Sequence, residues 1–101
     1  MARIRIELLR KRFEMLARDL GWRLADHDKP VATWEGCYAL QDYAPYYVKR
    51  YVGDGGGESN VSGYLSTRRE MLAWIEGAEA AVKALQPLIN RLKDDVLEAN
   101  G

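Results

Sequence analysis

Residues 51–63 read YVGDGGGESNVSG, with Gly53, Gly55, Gly56 and Gly57 interleaved with the acidic Asp54 and Glu58. A phosphate-binding loop here would lead into a helix, whereas a turn would join two strands. A phosphate cradle sets its glycines before a helix N-terminus and follows them with lysine and a hydroxyl residue. Here ESNVSG follows, no lysine does, and two carboxylates would repel an anion. Glycine also reaches the positive-φ conformations that close a hairpin. The run is therefore expected to be the tip between two antiparallel strands. Asp54, Glu58 and Asn60 lack the spacing of a calcium loop, so no metal is expected there.

On the N-terminal side of the run, YYVKRYV (46–52) alternates with a period of two. That pattern places Tyr46, Val48 and Val52 on one face of a strand and Tyr47, Lys49 and Tyr51 on the other. Before it, DYAP (42–45) supplies a turn. TWEGCYALQDY (33–43) then reads as a strand with Trp34, Tyr38 and Leu40 on one side and Gly36 as a bulge. WRLAD (22–26) shows the same alternation through Trp22 and Leu24, and NVSGYLS (60–66) is at best a short further strand. Three or four antiparallel strands result.

Helices flank this meander. Ala2, Ile6, Leu9, Phe13, Leu16 and Leu20 are spaced alternately four and three, which predicts a helix from about Arg3 to Leu20, ended by Gly21. Downstream, Thr67 and Glu70 fit a capping box. From there Met71, Ile75, Ala78, Val82, Leu85, Ile89, Leu92 and Val96 keep the same alternation. In heptad terms Ile75, Val82, Ile89 and Val96 occupy a, while Met71, Ala78, Leu85 and Leu92 occupy d. Pro87 falls at f, far from the seam, where it bends the helix or, alternatively, divides it near Gln86. The fold class is α+β in the order α-β-β-β-α: one domain, with residues 1–86 globular and 87–101 a helical extension.

The chain has 101 residues, 48% of them hydrophobic and 30% charged, with net charge zero. No global field draws it toward nucleic acid or membrane. One cysteine, Cys37, excludes an internal disulfide and fits a reducing compartment, so the expected location is the cytoplasm. No apolar run predicts a membrane span. His27, in the sequence DHD, is expected in an exposed turn. Cys37 has neither a second thiol nor an evident histidine partner. Trp74, beside the seam of the second helix, is expected in the core. No paired-carboxylate or metal-ligand pattern appears, so neither an enzyme nor a cofactor is expected.

Two surfaces carry the functional expectations. Tyr47, Lys49 and Tyr51, with the basic Arg10 and Lys11 of the first helix and Arg68 and Arg69 at the start of the second, could stack bases and hold phosphates. The same tyrosines could be covered by a helix, contact a protein or line a small-nucleotide pocket. Leu85, Ile89, Leu92 and Val96 form the second surface. A continuous second helix outreaches the first and leaves these residues bare. β-Branched a and leucine d positions favour paired parallel helices, with Lys93 and Asp95 on the flanks.

The element order resembles the double-stranded RNA-binding domain. That likeness implies RNA contacts from the first helix, a strand loop and the start of the second helix, where Arg68 and Arg69 stand. Residues 37–77, CYALQDYAPYYVKRYVGDGGGESNVSGYLSTRREMLAWIEG, are similar to small phage and prophage proteins that share a tyrosine-rich hairpin, a glycine-rich turn and an ST-R-E helix start. This second likeness implies a mobile-element accessory protein that binds another macromolecule. The expectation is thus a non-enzymatic, homodimeric protein-binding molecule in the host cytoplasm, with nucleic-acid or nucleotide binding as the alternative.

Overall fold

The computed structural model describes residues 3–100, with side chains through Val96. Helix α1 is Ile6–Leu20, strands β1, β2 and β3 are Tyr38–Gln41, Tyr47–Val52 and Gly57–Asn60, and helix α2 is Arg68–Asn100. A short 3-10 turn, Val31–Trp34, precedes β1. The chain is α+β in the order α-β-β-β-α, and the sheet is an antiparallel meander, β1-β2-β3.

Helix α1 starts at Ile6, later than its apolar spacing suggests. Arg5 is extended and offers no side-chain cap. The Ile4 carbonyl accepts from the Arg68 guanidinium at 2.9 Å, which ties the preceding chain to the start of α2. Ala2, the first residue of the expected apolar row, lies outside the described residues. Gly21 ends the helix at φ 71°, where the Trp22 N–H reaches back to the Ala17 carbonyl at 2.8 Å. This left-handed cap satisfies carbonyls that would otherwise lose their partners.

Residues 22–26 do not form the expected strand. They make a single bridge, Leu24 to Tyr38, because the chain turns at once. The Asp26 carbonyl accepts from the Lys29 N–H, and its side chain from the Asp28 N–H. Trp22 instead stacks on Tyr38, with centroids 4.1 Å apart and planes 5° from parallel. Trp34 also departs from expectation. It belongs to the 3-10 turn, and Gly36 at φ 78° turns the chain between it and β1. Trp34 therefore leaves the row of Tyr38 and Leu40 and packs on Tyr51.

The glycine run is the tip of a hairpin. Val52 pairs with Gly57, and residues 53–56 make the turn, with Gly53 at φ 71° and Gly56 at φ 82°. β3 begins inside the run and ends at Asn60. Beyond Asn60 the expected further strand is reduced to a bond from the Val61 N–H to the Val48 carbonyl at 2.8 Å and the bridge from Tyr46 to Leu65. Side chains replace the ladder there: Ser62 Oγ accepts from the Val48 N–H, and Asn60 Oδ1 from the Gly63 N–H.

Thr67 caps α2 by accepting the Glu70 N–H at 3.1 Å, and its hydroxyl donates to the Glu70 carboxylate. The helix then runs unbroken through Pro87 for 33 residues, about 50 Å at 1.5 Å per residue. Of the two outcomes at Pro87, the divided helix is not the one formed. The core is a single cluster of Leu9, Phe13 and Leu16 from α1, Tyr46 and Val48 from the inner sheet face, and Met71 and Ile75 from α2. Trp74, Ala78 and Val82 pack on it in part. The two helices run side by side in the same direction, with Ile4 beside Arg68, Arg12 beside Glu79 and Leu20 beside Val82 and Leu85. No helix among the described residues is long and apolar enough to cross a membrane.

Candidate functional site

Both helices pack on the inner face of the sheet, so the Tyr47, Lys49 and Tyr51 row lies on the outer face. The alternation of β2 dictates this: Val48 is fully buried beneath α1 and α2, and its neighbours must point away. No helix covers the outer row, yet both tyrosines are buried. They are covered locally. Trp34 tilts over Tyr51 at 5.1 Å, Tyr64 meets the edge of Tyr47 at 4.9 Å, and the Lys49 ammonium sits 5.5 Å from both ring centroids.

Glu58, across from Tyr51 on β3, holds this layer together. It accepts from the Tyr47 hydroxyl and from the Lys49 ammonium, each at 2.8 Å. Those bonds, Lys49 first, hold its carboxyl below the usual glutamate range. Conversely the bond to Glu58, aided by burial, pushes the Tyr47 hydroxyl up. For Lys49 burial acts downward, but the Glu58 bond and the neighbouring tyrosines outweigh it, and the ammonium is raised. His27 stands in an exposed turn, as expected, and from there shares a hydrogen bond with the Tyr51 hydroxyl at 2.9 Å and packs edge-on against Trp34. The polar tips of the buried row are thus satisfied within the layer. No ring face of Tyr47 or Tyr51 is left bare for a base to stack upon.

The basic residues do not meet on one surface. Arg10, on α1, pairs with Asp42 at 2.6 Å, and Lys11 beside it is exposed. Lys49 stands on the opposite face of the sheet, paired with Glu58. Arg68 donates to the Ile4 carbonyl and to the Tyr46 hydroxyl at the start of α2. Arg69 joins it with Arg3, Ile4 and Tyr46 around a recess of about 300 Å³. Arg12, which sequence reading did not single out, makes a two-pronged bond to Glu79 at 3.2 and 2.7 Å and fastens α1 to α2. Cys37 is buried just before β1, with the Arg23 Nε 3.1 Å from its sulfur. Among the described residues no group of three His, Cys, Asp or Glu side chains could hold a metal ion.

The remaining candidate surface is the far half of α2. Leu85, Ile89, Leu92 and Val96 lie on the seam that buries Met71 and Ile75 higher up, yet their exposures are 51, 38, 55 and 58%. Leu88, at a g position, adds 50% and was not anticipated, although its place beside the a residue Ile89 is legible in the heptad. Ile89, Leu92, Lys93 and Val96 line an open groove of about 500 Å³. A smaller recess of about 250 Å³ runs up to the end of α1, where Asp19 and Leu20 face Val82, Leu85 and Ile89. Comparison with known proteins gives no matching family model, no similar curated protein and no matching solved structure.

Proposed function

We propose that this chain is a non-enzymatic binding protein that acts through protein–protein contact as a homodimer, with the far half of α2 as its contact surface. One observation carries the reading: α2 continues unbroken past the end of α1 while keeping its apolar seam. Five large aliphatic side chains, Leu85, Leu88, Ile89, Leu92 and Val96, consequently stand in water along one helix. Contiguous exposed apolar surface of this kind marks an interaction site. The outer tyrosine layer favours a structural role over a ligand site, since Glu58 and His27 already take its polar groups. A binding role also agrees with what the likeness of residues 37–77 to phage accessory proteins implies.

Sedimentation equilibrium across a range from about 1 to 100 µM, bracketing the affinity expected of a small interface, tests the proposal. A dimer that Leu92→Glu dissociates is the expected result, because a carboxylate at the seam would be buried without a partner. A monomer throughout that range overturns the homodimer.

A further inference from the structure

We infer that the second copy lies antiparallel, each α2 tip seated against the end of its partner's α1. This rests on the protein-contact reading above and specifies how the partner is held. Heptad composition taken alone favours a parallel pair. The tertiary structure works against that orientation. On each chain the seam face of α2 up to Val82 is already occupied by α1 and the sheet. A parallel pair places both of these bodies at the same end, each on the side of its own helix that faces the other. They would compete for one space. An antiparallel pair puts them at opposite ends.

The antiparallel register is also matched residue by residue. Setting Ile89 against the partner's Leu92 sets Leu85 against the partner's Val96, and symmetry repeats both layers. All four bare seam residues are then covered over 85–96, about 18 Å of helix. The partner's Val96 arrives beside Leu20, which is itself 38% exposed at the rim of the recess formed with Val82, Leu85 and Ile89. With Leu88 and Lys93 on the flanks, the covered area is on the order of 1,000 Å², near the lower bound for a specific interface. Association in the micromolar range is therefore expected.

Distance measurement between nitroxide labels decides the orientation. In a Cys37→Ala chain, Ala80→Cys places the label on the exposed f position. In the antiparallel register the two labels are separated by 21 residues of rise, about 32 Å, while in a parallel pair they stand level, about 20 Å apart across two helix diameters. Glu76→Cys provides a second site, with an axial separation of about 44 Å if antiparallel. Distances beyond about 30 Å at the first site and 40 Å at the second are the expected result. A distance near 20 Å at either site overturns the antiparallel arrangement and leaves the homodimer standing. A monomeric mass at labelling concentration, without dipolar coupling, overturns both.

Discussion

Glu58→Gln tests whether the outer layer of the sheet is held by one carboxylate. Glutamine keeps the shape of the side chain but carries no charge, and only one of its two polar atoms accepts. The Lys49 ammonium, whose side chain is only 15% exposed, would lose its ionic partner between the two tyrosine rings. A charge-assisted hydrogen bond contributes about 1.5–3 kcal/mol when well desolvated. The Glu58 side chain is 35% exposed, so screening reduces this, and a loss of about 1–2 kcal/mol is expected. For a domain of this length that corresponds to a drop in Tm of roughly 5–12 °C. Urea unfolding of both proteins at equal concentration, repeated across pH, reads the effect. Because the Glu58 carboxyl is held below its ordinary value, its contribution is complete above about pH 4.3 and fades as pH falls through the folded-state value. The gap between wild type and variant should therefore narrow in acid. A gap below about 0.3 kcal/mol at neutral pH, or one that persists undiminished near pH 2, would refute the reasoning.

Phe13→Ala should cost about 3–5 kcal/mol by urea unfolding, since Phe13 is 3% exposed at the centre of the core. Gly56→Ala should destabilise by about 1–3 kcal/mol, because Gly56 holds φ 82° and an added Cβ would come within 3.0 Å of Val31 Cγ2. Gly55→Ala, with open space and no positive φ, should be close to neutral, and equal losses at the two sites would contradict the hairpin geometry. A double-mutant cycle on Arg12→Ala and Glu79→Ala should show favourable coupling between the two side chains, as expected for a two-pronged ion pair, and additive losses would contradict it. In alkali the Tyr47 hydroxyl, raised by its bond to Glu58, should support stability up to about pH 10 and lose it above the folded-state value. Tyr47→Phe should flatten that limb of the pH profile.

Elements with a repeating pattern were readable from the residues alone. The four-three spacing through Leu9, Phe13 and Leu16 marks α1, and the same spacing through Met71 and Ile75 marks α2. The period of two in 46–52 assigns Val48 inward and Tyr47, Lys49 and Tyr51 outward, as found. Backbone geometry produces these periods directly, so side chains need only repeat with them. Gly21, Thr67 and the glycine hairpin were equally legible, because each meets a backbone demand that few residue types satisfy.

The errors fall between Trp22 and Trp34 and between Asn60 and Ser66. There a short alternation resembled a strand, but competing hydrogen bonds from Asp26, Asn60 and Ser62 took the backbone groups a ladder would have used. Those bonds depend on which segments lie near one another, and local spacing does not encode that. The outer layer follows the same rule. Alternation showed that Tyr47 and Tyr51 share a face, but only the fold brought Trp34, His27 and Glu58 to cover it. For α2 the sequence shows one continuous seam, and the tertiary structure cuts it in two. α1 is only 15 residues long and lies beside the first half, so the same a and d positions are core above Val82 and bare surface beyond Leu85. Periodicity determines which side of a helix is apolar; the length and placement of its neighbour determine how much of that side reaches water.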